Sequence, residues 1–197
     1  MNVKRNGTRI GVLALQGDFA RHLEALDRLG VTASEVRTPE DLRGLSGLVL
    51  PGGESTTMLK LMDGTGMEEA IRSFHEHGGA LFGTCAGLIL IADRVTDPEQ
   101  RSMHLLDVDV ERNAYGRQAD SFEADITSSI GRDAPLRGVF IRAPRVTRQA
   151  CRRCRVRALV CPCRSRRSAA PVQVAQGRDL RHPSSARHGP GCQRRVL

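Results

Sequence analysis

One cysteine stands apart from the other five. Cys85 lies in Gly83-Thr84-Cys85-Ala86-Gly87, directly behind the short apolar run at residues 80–82. A sharp strand-to-helix turn pushes its central side chain into the open, and flanking Gly or Ala relieve the crowding that such a turn creates. The N-terminus of the following helix then lies beside the sulfur, where its N–H groups favour a thiolate and can stabilise an oxyanion formed in acyl transfer. A second glycine-dense turn, Pro51-Gly52-Gly53-Glu54-Ser55, can point backbone N–H groups at the same spot. The chemistry indicated is nucleophilic acyl transfer at a thiol. A buried core cysteine is the commoner role for a lone thiol, and the pentapeptide alone does not separate the two.

The elements that must position these turns alternate strand and helix, as an α/β domain should. Residues 9–17 (RIGVLALQG) read as a short strand closed by Gly17. A helix is predicted over 18–30, with Phe19, Leu23, Leu26 and Leu29 at helical spacing and Gly30 as its stop. A strand over 31–37, a short helix in PEDLRG, and a buried strand beginning at Gly47 and ending in the PGGES turn come next. Residues 67–79 are helical, with Ile71 and Phe74 inward; 80–84 is the next strand and 86–95 the next helix. LLDVDVERN, SFEADI and GVFIRAP are strand-like. Strands followed at once by helices imply a mostly parallel sheet covered on both faces, and ligands bind at the carboxyl ends of such strands. PGGES and GTCAG are two of those ends.

The chain has 197 residues, enough for one ordinary domain with a sizeable core. It contains no run of about 18 apolar residues, so a membrane span is not expected. The apolar segment near the N-terminus has strand length rather than that of a signal-peptide core, and a cytoplasmic protein is the expectation. The net charge of +8 is unevenly placed. Residues 1–147 hold 17 Lys+Arg against 21 Asp+Glu, whereas 148–197 hold 13 Arg, no Lys and a single acid, Asp179. The organisation expected is a mildly acidic body, 1–147, followed by a basic tail, 148–197. Cys151, Cys154, Cys161, Cys163 and Cys192 all fall in that tail, which is not the pattern of a disulfide framework.

IGVLALQG, LPGGESTTM, FGTCAGLIL, VERNAYGRQADSFEA and GVFIRAP, in this order and spacing, closely resemble the glutaminase subunit of pyridoxal 5′-phosphate synthase, a class I, triad-type glutamine amidotransferase. The resemblance covers residues 8 to 145. GTCAG marks the broader superfamily; VERN-x-x-GRQ-x-x-SFEA and FIRAP narrow it to this branch. The resemblance implies a three-layer, flavodoxin-like α/β domain with a mostly parallel sheet. It implies that Cys85 attacks the side-chain amide of L-glutamine, and that Gly53, Glu54 and Ser55 line the glutamine site. It also places the Gly53 and Ala86 backbone N–H groups near the oxyanion, and Arg112, Ile141 and Arg142 on the substrate. An arginine suits the substrate's carboxylate through paired hydrogen bonds. Without the resemblance, a salt bridge to the body's many acids is the ordinary role for either arginine. The resemblance further implies ammonia delivery to a separate synthase subunit, in a large hetero-oligomer where the glutaminase works only when docked. No metal or bound cofactor is implied, pyridoxal phosphate being a product.

In this family the base is a histidine, oriented by a glutamate, in a His-Pro-Glu segment. His22, His75 and His77 are expected as solvated helix positions and His104 in a polar connection. His182-Pro183-Ser184 matches the first two letters of the segment, with Ser184 where the family has glutamate. Serine cannot stabilise an imidazolium with a charge. The tail as a whole lacks aromatic residues and is rich in Arg, Ser, Pro, Ala and Cys, a disorder-prone composition. Arginine without lysine suits an out-of-frame reading of GC-rich coding DNA, which is the first interpretation; one of the two other frames from about codon 145 should then encode a strand-rich segment containing Phe-His-Pro-Glu. A non-specific nucleic-acid-binding tail and a zinc site at Cys151, Cys154, Cys161 and Cys163 are the weaker alternatives.

Overall fold

The computed structural model describes residues 7–114, 122–126, 136–140 and 143–149. Four parallel strands form the main sheet: β1 (Arg9–Leu13), β2 (Thr32–Val36), β3 (Gly47–Leu50) and β4 (Ala80–Gly83), in the order β2-β1-β3-β4. All four residues of β3 are buried, as expected of a central strand covered on both faces. β2 keeps only Val36 fully buried, as suits an edge position. Register runs Ile10 beside Gly47 and Leu48 beside Leu81, which brings the carboxyl ends of β1, β3 and β4 side by side.

The helices follow the expected alternation with instructive departures. α1 (Phe19–Arg28) has no fully buried residue, and Leu29 just beyond it is 71% exposed. Its apolar face is therefore only half covered; the Arg37 guanidinium lies 5.5 Å from the centre of the Phe19 ring. A 3₁₀ turn spans Pro39–Leu42, opened by a capping box in which Asp41 accepts from the backbone N–H groups of Arg37 and Thr38. α2 (Ser55–Met62) is a helix not among those expected, although Met58, Leu59 and Met62 stand on one buried face. α3 (Met67–Glu76) buries Met67, Ile71 and His75, a strict i, i+4, i+8 stripe.

α4 (Ala86–Ile91) is buried at every position and ends four residues earlier than expected; β5 (Ala92–Thr96) takes over. A helix that is apolar all round carries no periodicity to mark its end. The register of β5 shifts between Ala92 and Arg94, so that Asp93 and Arg94 both face outward. β5 runs parallel to β6 (Leu106–Glu111), which pairs antiparallel with β9 (Arg145–Gln149) in a second sheet. β7 (Phe122–Ile126) and β8 (Leu136–Phe140) form an antiparallel pair. The main sheet is thus wholly parallel, whereas the later strands mix both directions. Val95, Leu106, Val108 and Val110 join the same buried cluster as Leu48, Leu50, Leu81 and the α4 side chains, so one core underlies both larger sheets. β9 crosses the expected division at 147/148: Arg148 reaches Asp107 at 3.0 Å and Asp109 at 2.7 Å. No helix among the described residues is long and apolar enough to cross a membrane.

Candidate active site

Three chain segments leaving β1, β3 and β4 meet at one end of the main sheet, and close backbone approach is what brings them together. The turn after β4 carries Cys85 at φ +47°, ψ −105°, a conformation that L-residues rarely adopt, as the N-cap residue of α4. Such a conformation costs on the order of 1–3 kcal/mol and persists only where its surroundings over-determine it. Here they do. Thr84 N–H donates to the Leu50 carbonyl at 3.0 Å, and Gly87 N–H is shared between the carbonyls of Pro51 (3.1 Å) and Thr84 (2.8 Å). The two glycines of the pentapeptide are required by contact rather than by φ. A Cβ on Gly87 would stand 2.1 Å from the Leu50 carbonyl oxygen, and one on Gly83 2.7 Å from the Gly87 carbonyl carbon.

The second turn lies against the first. Of its two glycines, Gly52 is the one beside Cys85: a Cβ there would be 3.6 Å from the cysteine's own. Gly53 packs instead on Gln16, Met58 and Gly17. The β1–α1 connection clamps this turn from the other side. Gln16 Oε1 accepts from Glu54 N–H at 2.9 Å, Asp18 N–H donates to the Gly52 carbonyl at 2.9 Å, and Gly17 sits so close that a Cβ would be 2.0 Å from that carbonyl oxygen. Gln16 was not among the expected site residues. Its signal in the sequence is position: it stands at the carboxyl end of β1, level with the two glycine turns.

Glu54 and Arg112 are brought together. Arg112 Nη2 meets Glu54 Oε1 at 2.5 Å, with the arginine side chain only 16% exposed, and Thr56 Oγ1 donates to the same oxygen at 3.1 Å. Arg112 N–H donates to the Thr96 carbonyl at 2.8 Å, which ties the end of β6 to that of β5. Ser55 is 2% exposed and its hydroxyl donates to Gln100 Oε1 at 2.8 Å, so its side chain is engaged within the protein. Ala86, the first residue of α4, is wholly buried. Ile141, Arg142 and His182 lie outside the described residues.

The histidines depart from expectation at two places. His75 is 7% exposed, with Nδ1 3.2 Å from the Gly79 carbonyl, because the Met67–Ile71 stripe carries it inward. His22 is half-buried, and its Nε2 lies 3.1 Å from Thr84 Oγ1, one residue before the cysteine. Burial holds the His22 imidazole below its ordinary value, with the Asp18 carboxylate opposing, so the ring is neutral at pH 7. His77 and His104 are exposed, and His104 Nδ1 is 3.4 Å from Asp93. The arrangement gathers a half-buried thiol and a carboxylate–guanidinium pair at the end of a parallel sheet, with the Gly52 backbone beside the cysteine.

Residues 12–160 match the SNO glutamine amidotransferase family. The chain belongs to that family. Among SNO-family proteins it is similar to the pyridoxal 5′-phosphate synthase subunit PdxT of Deinococcus radiodurans, 54% identical over 144 residues that span 71% of this chain and 73% of the relative. The PdxT subunit of Thermus thermophilus is 56% identical over 138 residues, covering 68% and 71%. A crystal structure of a glutamine amidotransferase aligns with a TM-score of 0.64 at 51% identity, over 72% of this chain and 75% of that one. The mostly parallel α/β fold expected of an SNO-family chain is the fold observed.

Proposed function

We propose that the chain is a glutaminase that hydrolyses L-glutamine to L-glutamate and ammonia for pyridoxal 5′-phosphate synthesis. The Cys85 thiolate attacks the side-chain amide carbon, and the negative charge passes to the amide oxygen. Backbone N–H groups at Gly53 and Ala86 receive that oxyanion. The C–N bond breaks as nitrogen takes up a proton, leaving as ammonia and a γ-glutamyl thioester. Water then cleaves the thioester, giving glutamate and restoring the thiol. Arg112 and Arg142 take the substrate carboxylate, Glu54 its ammonium, and the Gly53–Ser55 backbone and Ile141 complete the pocket. His182 is the candidate base, with Ser184 at the position of its carboxylate partner. No metal or bound cofactor enters the reaction. Ammonia passes to a synthase subunit of the PdxS type within a cytoplasmic hetero-oligomer, in keeping with the relatives' being pyridoxal 5′-phosphate synthase subunits.

The observation that carries this reading is Cys85 held at φ +47° against Gly52, where β3 and β4 end together. A structural core cysteine has no need of such a turn. The test is ammonia release from glutamine with the synthase subunit present. Release that disappears in Cys85→Ala supports the glutaminase; release that persists in Cys85→Ala sinks it. Ser184 in place of glutamate favours a second reading, a binding subunit that docks and holds glutamine without hydrolysing it. Docking with no ammonia from the unsubstituted chain selects that one.

A further inference from the structure

We propose that His22 is a positioning residue for the nucleophile turn, acting through the Thr84 hydroxyl; this rests on reading Cys85 as the nucleophile. The β1–α1 segment grips both glycine turns at once. Gln16 and Asp18 hold the Glu54 N–H and the Gly52 carbonyl, and one helical turn further on His22 reaches Thr84. Thr84 is thereby fixed at three points: its N–H on Leu50, its carbonyl on Gly87 N–H, and its Oγ1 on the imidazole. Two of these are backbone contacts within the turn and its neighbouring strand. The third comes from 62 residues away and sets the side-chain rotamer of the residue that precedes the strained cysteine.

The chemistry of the contact suits a fixed bond rather than a charge. A neutral imidazole Nε2 either donates to or accepts from a hydroxyl, and threonine can answer in either sense. The ring is half-buried at the foot of α1, so the bond is sheltered from competing water. Without it, Thr84 gains a rotational freedom, and only the backbone bonds of the turn hold Cys85 at φ +47°. The turn then relaxes and the half-buried thiol leaves the position that the turn gives it.

The experiment is a double-mutant cycle on the full chain, read as the rate at which iodoacetamide alkylates Cys85, with mass spectrometry of the peptide separating it from the other five cysteines. Thr84→Val keeps the shape and removes the hydroxyl; Thr84→Ser keeps the hydroxyl. His22→Ala and Thr84→Val are each expected to slow alkylation about fivefold, the worth of one net hydrogen bond, and the double variant no further. Thr84→Ser stays within about twofold of the parent, a rescue that side-chain volume alone does not produce. Slowing that multiplies in the double variant, or a His22→Ala rate equal to or above the parent's, overturns the proposal. In the ammonia assay the same variants lower kcat with KM unchanged. A parent chain that releases no ammonia counts against the glutaminase reading, and the alkylation cycle still decides the role of His22.

Discussion

Gly87→Ala is the sharpest test of how the nucleophile turn is built. The added Cβ would stand 2.1 Å from the Leu50 carbonyl oxygen and 2.7 Å from its carbon, whereas ordinary contact begins at 3.4 Å. The obstacle is backbone at the end of a buried strand, so no side chain can swing aside. α4 must move off β3 by about 1 Å or more, and every residue from Ala86 to Ile91 is buried against its surroundings. Overpacking of this kind costs about 1–3 kcal/mol, and a backbone neighbour puts the case at the upper end. With a urea m-value of about 2 kcal/mol/M, the unfolding midpoint falls by about 1.5 M with m unchanged. Gly64→Ala is the control: it has φ +69° but nothing within 4 Å of the new Cβ. It carries only the left-handed backbone cost, about 1 kcal/mol. Because Cys85 rides on the same helix, a shift of about 1 Å lowers kcat by about 10²-fold. A Gly87→Ala midpoint equal to that of the parent or of Gly64→Ala would refute the seating of α4 on Leu50.

Three other outcomes are expected. Arg112→Lys loses the planar fork that a carboxylate needs, so kcat/KM for glutamine drops about 10- to 100-fold, chiefly through KM; an unchanged KM removes Arg112 from the substrate site. His22 binds its proton more weakly folded than unfolded, so it exacts nothing above its ordinary pKa of 6.5 and destabilises the fold as pH falls below that value. His22→Gln therefore flattens the stability-versus-pH curve below about pH 6.5, and an unchanged slope there contradicts the burial assigned to the ring. Arg148 is the counter-ion of Asp93, Asp107 and Asp109, and its contact holds the Asp109 carboxyl below the usual range. Arg148→Ala leaves three carboxylates facing one another, so the unfolding midpoint drops at about 20 mM salt and recovers at about 0.5 M.

Much of the site was legible because its demands are local. A cysteine between Gly83 and Gly87, behind an apolar run, signals a strand-to-helix crossing, and both glycines prove to be required by backbone contact. The Pro51–Ser55 turn reads the same way. What stayed hidden depends on burial partners that periodicity does not name. His75 looks solvated among charged neighbours, yet its i+4 relation to Ile71 carries it into the core. His22 shares a helix with exposed Arg21 and Glu24, and only the approach of β4 reveals its reach to Thr84. The end of α4 is masked by six consecutive apolar or small residues, so the change to strand at Ala92 has no marker before it. Gln16 illustrates the opposite lesson: a polar residue at the end of an apolar strand is a site candidate because the neighbouring strands end there too.

The two halves of the proposed reaction make different demands, which separates the role of Cys85 from that of its base. An ordinary cysteine, with a pKa near 8.5, is a few per cent thiolate at neutral pH, and iodoacetamide draws on that fraction with no acid required. Expelling nitrogen from an amide does require one, because an unprotonated amide anion is too basic to leave. An imidazolium without a carboxylate partner is less populated and less well oriented, the handicap that the proposed base His182 would carry with serine at 184. A γ-(p-nitrophenyl) ester of glutamate presents the same carboxylate and ammonium to the pocket but releases a phenolate that needs no proton. The expected pattern for this chain with its synthase partner is ester turnover that requires Cys85 and exceeds glutamine turnover by at least about 10²-fold, the usual contribution of a positioned acid. Replacing Ser184 with glutamate then narrows the gap by raising glutamine turnover alone. If the ester is not cleaved, the deficit lies in binding or in the thiol itself. If glutamine and ester turn over equally, a competent acid is in place and the serine at 184 is no handicap.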